Sequence, residues 1–276
     1  MTPAPRACWL AAHGRRLFSV LHLPAAASGG GVLVCPPLFH EHARSYRLFA
    51  LLADALADCG LTVLRFDYYG TGDSAGEDAE FTLAGAHADA ACALAALRER
   101  VGKAPVAVLG IRGGAIPAAH CAVHAGSDAL WLWQPPASGA ECLADLQRRD
   151  AHLRALHGYA AGVAGDRALL GFACNPSLPD ELRAARMPAA LDAGDLPMLV
   201  LDAAGHPGPF ARTQRIDLAA PLHAWIDQIA MRRVPRAPLQ QLGVQLAAQL
   251  HAGSAATSRR LASAEPAPGW GSVSHG

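Results

Sequence analysis

The stretch Gly110-Ile111-Arg112-Gly113-Gly114 has the spacing of a turn that presents a catalytic nucleophile. In a G-x-S-x-G sequence between a strand and a helix, small residues around the serine allow a sharp bend that exposes its hydroxyl beside a free backbone N–H. In this chain arginine stands where that serine would be. A guanidinium stays protonated at any accessible pH and has no lone pair with which to attack a carbonyl carbon. The pattern therefore predicts the geometry of a nucleophilic site without its nucleophile.

Other residues have side chains that could act as a nucleophile or as metal ligands, but their sequence context favours these roles less. Ser74 could replace the missing nucleophile, but its place in a glycine-rich loop favours hydrogen bonds to nearby backbone. Asp67 ends an apolar run and is expected to orient that loop or cap a helix. His120 and His124 have the spacing of two metal ligands on one helical face, yet no Glu lies between them as in H-E-x-x-H and no third ligand is evident. The sequence thus predicts no metal site.

Apolar runs alternate with helical patterns through the first half of the chain, after an opening hairpin. Runs that are typical of strands buried on both faces are Gly31–Cys35, Leu61–Asp67, Pro105–Leu109 and Leu130–Trp133. This alternation predicts parallel strands joined by right-handed crossovers. In such a sheet the loops at the carboxyl ends of the strands form the ligand crevice. Those loops carry Pro37, Gly70, Arg112 and Asp202.

Pro117 limits where the helix after the Gly110–Gly114 turn, the elbow, can begin. Pro117 cannot donate a backbone hydrogen bond and would clash deep inside a helix. We therefore expect the helix to begin near Gly113 or Gly114, so that Pro117 lies in its first turn.

The strand pattern lapses between Ala137 and Asp195, where helical pieces alternate with Gly, Pro and Asn. A connection of this length predicts a helical cap above the strand ends. The run Pro197–Asp202 then returns to the sheet.

Two helical patterns follow, at Pro221–Met231 and Leu239–His251. The residues from 252 to 276 are rich in Ser, Ala, Gly and Pro and have little to bury, so we expect them to be disordered. The sequence predicts one domain over residues 1–251, with the cap at about 137–195.

A longer motif resembles a known family. The stretch Arg65–Gly76 reads R-F-D-Y-Y-G-T-G-D-S-A-G, and it is similar to the R-F-D-x-x-G-x-G-x-S-x-G sequence after the fourth strand of α/β-hydrolases in the serine aminopeptidase-like and monoglyceride-lipase-like branch. Pro36–Glu41 lies where that superfamily has its oxyanion loop. The resemblance is good over Cys8–Trp133 and weak elsewhere. It implies an α/β-hydrolase fold: a mainly parallel sheet with helices on both faces and a helical cap.

A subgroup resembles the chain more closely. These are hydrolase-like proteins encoded beside exosortase and exopolysaccharide genes, some of which also have arginine at the elbow. The run Pro209–Gln214 is similar to this subgroup too.

The resemblance also implies where an oxyanion would be bound. Its donors would be the backbone N–H of Gly113 and that of Leu38 or Phe39, because Pro36 and Pro37 have none. Such a hole could persist without a nucleophile.

Three residues are candidates for the remainder of a catalytic triad. Asp202 ends the strand after the predicted cap, where hydrolases place the triad acid. His206 follows Asp202 very closely and His223 lies in a helical pattern, so neither has the usual setting of the triad histidine. Both stay candidates, because triads are recognised by geometry rather than by sequence position.

The composition excludes several functions. Lys+Arg and Asp+Glu balance at 23 each, so no net field attracts nucleic acid or an anionic membrane. The N-terminus lacks a secretory pattern and no apolar run reaches membrane-spanning length, so we expect a soluble, cytoplasmic protein. The 7 cysteines include no C-x-x-C pair, which favours buried thiols over disulfides or zinc. No motif implies a cofactor, and the sequence leaves the oligomeric state open.

Two hypotheses for Arg112 remain. Arginine could fill the vacant turn with its stem on apolar surface, or its guanidinium could form an anion site with the unused backbone N–H groups. The first function hypothesis is a non-catalytic member, a pseudoenzyme, that binds a small anionic or acyl ligand or a partner's acidic group. The second is an active ester, thioester or amide hydrolase with a non-standard nucleophile, linked by the resemblance to exopolysaccharide production.

Overall fold

The structure, a computed structural model, describes residues 2–157, 168–191, 196–206, 210, 213–227 and 236–263. These residues contain ten strands. In chain order the strands are β1 (Arg6–Ala12), β2 (Arg15–His22), β3 (Gly30–Cys35), β4 (Leu61–Phe66), β5 (Val106–Ile111), β6 (Ala129–Trp133), β7 (Ala168–Leu169), β8 (Phe172–Ala173), β9 (Met198–Asp202) and β10 (Gln214–Asp217). The helices are α1 (His40–Asp58), α2 (Leu83–Val101), α3 (Ala115–Cys121), α4 (Gly139–His157), α5 (Leu178–Ala184), α6 (Ala220–His223) and α7 (Arg236–Ser263).

Eight strands form one sheet in the order β1-β2-β4-β3-β5-β6-β9-β10. The β1–β2 hairpin is antiparallel and joins β4 in antiparallel register. The strands from β4 to β10 in this order are parallel to one another. This is the mainly parallel sheet that the sequence predicted. The carboxyl ends of β3, β5, β6 and β9 therefore lie at the same edge of it.

Both faces of the sheet are buried. Val32 and Val34 of β3 pack into a core with α1 and α7, whereas Leu33 packs into a second core with α2 and α3. Successive side chains of a strand point to opposite faces, so a continuous apolar run supplies both cores at once. This confirms the helices expected on both faces.

The segment between β6 and β9 holds α4, α5 and the small β7–β8 sheet. Its buried Leu146 and Leu182 join the core that α2 and α3 share. The helices α4 and α5 lie in the segment for which a helical cap was expected. That this segment acts as a cap, and where the cap begins and ends, stay predictions. The β7–β8 hairpin was not expected; Leu170 and Gly171, at φ 57 and φ 88, form its tight turn. Residues 158–167 and 192–195 lie outside the described part of the chain.

The elements after β10 differ from the prediction. The helix expected over Pro221–Met231 is a short α6 followed by a 3-10 turn at Trp225–Asp227, and residues 228–235 lie outside the described range. Trp225 is buried and its ring makes an edge contact with Phe49, 5.7 Å between centroids.

The last helix is longer than expected. It runs to Ser263, so residues 252–263 are helical although the sequence analysis placed them in a disordered tail. The segment is rich in alanine and has no proline before Pro266, which favours continuation of the helix. Residues 264–276 lie outside the described part of the chain. No helix within the described residues is long and apolar enough to cross a bilayer.

The approach of α3 to the loop after β3 gives a testable prediction. A Cβ on Gly114 would lie 2.1 Å from the Pro36 carbonyl oxygen and 2.7 Å from that of Cys35. Both neighbours are backbone atoms, so Gly114→Ala requires a backbone shift and should lower the free energy of unfolding by about 3 kcal/mol. Urea denaturation measures this change.

Gly253→Ala is the matched control. The nearest atom to its added Cβ is Pro197 Cγ at 3.9 Å, an ordinary contact. Because Gly253 lies in α7, this change should leave stability unchanged or raise it by up to about 1 kcal/mol. Equal stability of the two variants would contradict the close packing at the elbow.

Candidate functional site

Arg112 lies on a sharp turn directly after β5. Its φ of 51 is uncommon for any residue but glycine and marks local backbone strain. Arg112–Gly114 form a 3-10 turn and α3 begins at Ala115. Pro117 thus lies in the first helical turn, as the sequence predicted.

The glycines of this turn have little space around them. A Cβ on Gly110 would lie 2.5 Å from Ala118 Cβ, and one on Gly113 would lie 2.9 Å from Leu38 Cδ1. With Gly114 against the Pro36 carbonyl, these contacts bring α3, β5 and the loop after β3 together. The backbone therefore has the geometry of a nucleophile elbow, and the side chain that it presents is arginine.

The Arg112 guanidinium is held between two carboxylates. Its Nη2 donates to Asp145 Oδ2 at 2.5 Å, and its Nε faces Glu41 Oε1 at 3.5 Å. A longer contact of 3.5 Å joins Nη1 to the Gln134 carbonyl oxygen. The side chain is 21% exposed, so most of the charge is shielded from water and neutralised by the protein.

The two carboxylates differ in their electrostatics. Burial by itself would raise the pKa of Asp145, but its hydrogen bond from Arg149 and the charges of Arg112 and Arg149 outweigh burial and lower that pKa. Arg148 adds a hydrogen bond at 2.8 Å. Glu41 is almost fully buried, and its burial raises its pKa in spite of the attraction of Arg112 and Arg149. Glu41 Oε1 has no hydrogen-bond partner within the described residues.

These side chains line an open cleft of about 280 Å³ at the carboxyl edge of the sheet. No serine or threonine is among the described residues that line it. The one thiol among them, Cys142, has its pKa raised to about 12 by burial and by Glu41, so it is protonated at neutral pH. The described lining therefore offers no hydroxyl or thiolate nucleophile.

Asp202 and His206 lie in the same cleft as Arg112. Asp202, at the end of β9, is nearly buried, and its Oδ2 is 3.0 Å from His206 Nδ1. His206 is 63% exposed, at the outer rim. The i,i+4 spacing of the pair was the signal available in the sequence, and in the structure the chain turns between them at Gly205, φ 75.

His223 is not brought to the cleft. It is not among the described residues that line it, and its carbonyl oxygen accepts a hydrogen bond from Gln134 Nε2 at 3.0 Å. Of the two candidate histidines, the structure pairs only His206 with Asp202 within the described residues.

The three residues expected to bind an oxyanion do not all lie in the same pocket. Leu38 and Gly113 line the cleft, whereas the Phe39 side chain lines a different pocket with Phe81 and Phe172. Phe39 precedes α1 at φ 55, which turns its side chain away from that of Leu38. Their role as oxyanion donors stays a prediction.

The glycine loop after β4 has a structural serine. Ser74 Oγ donates to the Asp67 carbonyl oxygen at 2.6 Å and accepts from Phe18 N–H at 2.8 Å. Asp67 Oδ2 accepts from Asp73 N–H at 3.0 Å, and its Oδ1 lies 2.9 Å from His42 Nε2. Ser74 and Asp67 thus hold the loop, as expected. The pairing of His42 with Asp67 has no local signal in the sequence, because long-range packing creates it.

The histidines that were considered as metal ligands lie elsewhere. The rings of His87 and His120 stack with centroids 4.0 Å apart, and His124 follows at 4.3 Å from His120. Burial lowers the pKa of His87 to about 4. In the part of the chain that the structure describes, no group of three or more His, Cys, Asp or Glu could hold a metal ion.

The opposite pKa shifts of the two carboxylates give a prediction. Asp145→Asn should lower the free energy of unfolding by about 1–2 kcal/mol at neutral pH, because it removes charged hydrogen bonds. Since the pKa of Asp145 is lowered on folding, this loss is fully present above its ordinary value of 3.8 and disappears as the pH falls below it. Chemical denaturation at several pH values measures it.

Glu41→Gln is the matched control. The pKa of Glu41 is raised on folding by burial, so its charged form is disfavoured in the native state, and Gln removes that charge. This variant should keep or increase stability at neutral pH. A larger loss for Glu41→Gln than for Asp145→Asn would contradict the assignment of Asp145 as the principal partner of Arg112.

The chain was compared with a protein-family model, with curated proteins and with solved structures. The family model described as serine aminopeptidase, S33, matches residues 32–144. No curated protein matches the chain.

Several solved structures share the fold. A hypothetical protein from Pseudomonas aeruginosa has a TM-score of 0.59 at 15% identity, over 88% of this chain and 93% of its own. An α/β serine hydrolase without lid from Xanthomonas campestris has a TM-score of 0.53 at 17% identity, over 96% and 99%. Est1E from Butyrivibrio proteoclasticus, with ferulic acid bound, has a TM-score of 0.57 at 16% identity, over 89% and 100%. These likenesses show that the chain has the α/β-hydrolase fold.

Proposed function

We propose that the chain is a non-hydrolytic protein of this fold, which binds a small molecule or a partner through a carboxylate or similar anionic group. The observation that carries the proposal is the side chain of the elbow: Arg112, with its guanidinium in the cleft and hydrogen-bonded to the carboxylate of Asp145.

The described lining of the cleft has no serine or threonine and its one thiol is protonated, which argues against hydrolysis by an elbow-type nucleophile. Removing the nucleophile from a triad enzyme leaves only weak catalysis from the oxyanion hole and from binding, several orders of magnitude below the parent enzyme. Cys142 is a buried thiol with its pKa raised to about 12, and Ser74 Oγ is held by backbone of the neighbouring loop. Neither side chain can take the place of an elbow serine.

The guanidinium favours an anionic ligand. Arginine presents a planar fork of N–H donors that matches carboxylate and phosphate oxygens. In the cleft the fork already holds the carboxylate of Asp145, and Arg148 and Arg149 lie beside it. Because Asp145 and Glu41 neutralise Arg112, an anionic ligand would bind by replacing Asp145 at the guanidinium.

A second function has one observation in its favour. Asp202 and His206 form a 3.0 Å pair in the same cleft, and such a pair could activate a water molecule as a general base. The protein would then be an ester, thioester or amide hydrolase with a non-standard nucleophile. A link to exopolysaccharide production rests on the resemblance at the elbow and is part of this proposal, not of the first.

An esterase assay separates the two functions. With a short-chain nitrophenyl ester, wild-type protein should show no hydrolysis above background, and a fluorophosphonate probe should leave its mass unchanged. The expected reason is that Arg112 removes the attacking atom. Stoichiometric labelling of Ser74 or of any cysteine by the probe would contradict the proposal.

Arg112→Ser restores a G-x-S-x-G sequence in a turn whose glycines are already suitable. We expect no more than trace esterase activity, because the His206 side chain is 63% exposed to solvent, a poor setting for a general base. Robust turnover that Asp202→Ala abolishes would show that Asp202 and a histidine still activate the new serine, and it would favour the second function.

The same variant tests ligand binding. Ferulate is a suitable probe, because it is an aromatic carboxylate and a neighbour of the same fold holds ferulic acid. Arg112→Ser should weaken ferulate binding about tenfold, as expected for loss of a charged hydrogen bond. Arg148→Ser is the control, since Arg148 is 69% exposed and contacts Asp145 instead of the elbow. An equal effect of both substitutions would indicate general charge attraction only.

A further inference from the structure

A second cavity of about 250 Å³ lies between the loop after β3, the loop after β4 and strand β8. The described residues that line it are all different from those that line the cleft of Arg112. It is therefore a separate site, and nothing in the proposed function uses it.

Three phenylalanines form its aromatic walls. The ring centroid of Phe39 lies 6.1 Å from that of Phe81 and 6.1 Å from that of Phe172. The three residues come from distant parts of the chain, and the φ of 55 at Phe39 sets the direction of its side chain. The cavity thus offers several aromatic rings to a small ligand.

The charged residues of the lining are acidic. Asp67, Asp73 and Asp78 line the cavity, and no Lys or Arg is among its described lining residues. Asp67 is paired with His42, whereas neither Asp73 nor Asp78 has an ion-pair partner among the described residues. Even with His42 protonated, the lining keeps a net negative charge.

The arginine that contacts Tyr46, one of the lining residues, already has partners of its own. The guanidinium of Arg65 lies over the ring of Tyr46, 4.8 Å from its centroid, and its Nε donates to His22 Nε2 at 3.2 Å. Arg65 therefore occupies one face of Tyr46, the fourth aromatic residue of the lining, and leaves the three phenylalanines available.

We propose that this cavity binds a small organic cation, such as an alkylated ammonium group, between the rings of Phe39, Phe81 and Phe172 and close to Asp73 and Asp78. Aromatic rings attract a cation through their negative faces, and recognition of quaternary ammonium groups by aromatic cages uses this attraction. The unpaired carboxylates add long-range attraction of the same sign.

The electrostatics of Asp78 support the proposal. Burial, with a smaller contribution from Glu77, raises the pKa of Asp78, and no neighbouring cation among the described residues offsets this rise. A bound cation would supply that compensation. Asp73 is exposed at the mouth of the cavity, where it can attract a cation from solution.

Choline and its uncharged carbon isostere, 3,3-dimethylbutan-1-ol, test the charge requirement, because they share a shape and differ in charge. In isothermal titration calorimetry of the full chain, choline should bind saturably and at least about tenfold more tightly than the isostere. No binding of choline up to about 10 mM, or equal binding of the two probes, would overturn the proposal. Tighter binding of the isostere would show an apolar site only and would overturn it as well.

Variants locate the site. Asp73→Asn combined with Asp78→Asn should weaken choline binding about tenfold and leave the isostere unaffected. Phe172→Leu keeps an apolar wall and should weaken choline more than the isostere. Asp180→Asn is the control, because Asp180 is 83% exposed on α5, pairs with Arg183 and does not line the cavity. Thermal melts verify that each variant is folded, and unchanged choline affinity in the folded double variant would place the cation elsewhere and contradict the proposal.

Discussion

The ion pair between Arg112 and Asp145 connects the elbow to the segment inserted after β6. Close packing at Gly110 and Gly114 fixes the turn, and the turn directs the Arg112 side chain into the cleft. A guanidinium that is mostly shielded from water requires a carboxylate partner, because an uncompensated buried charge costs several kcal/mol. Asp145 of α4 meets that requirement, so the same contact neutralises the arginine and holds α4 above the strand ends.

The loop after β3 separates the two sites. Leu38 and Glu41 face the cleft of Arg112, whereas Phe39 and His42 face the aromatic cavity. The positive φ of Phe39 at the start of α1 makes this division possible, because it sends consecutive side chains to opposite sides. One short segment thus contributes both to a cleft in which arginines and carboxylates are paired and to a cavity whose described charged residues are acidic.

Local patterns in the sequence predicted the parallel sheet, the elbow and the structural role of Ser74. They could do so because strand periodicity and turn glycines are properties of neighbouring residues. The partner of Arg112 was not predictable, since α4 carries several charged residues and only the docking of the inserted segment selects Asp145. The same limit applies after β10, where a short helix and a 3-10 turn stand in place of the expected helix, and at residues 252–263, which are helical where disorder was expected.

A double-mutant cycle on Arg112 and Asp145 tests the central interaction most directly. The free energies of unfolding of wild type, Arg112→Gln, Asp145→Asn and the double variant give the coupling energy of the two side chains. A coupling between about 1 and 3 kcal/mol at neutral pH, which disappears when Asp145 is protonated at low pH, is the result that our account predicts. A coupling near zero at neutral pH would show that Asp145 does not hold the elbow arginine and would contradict the account.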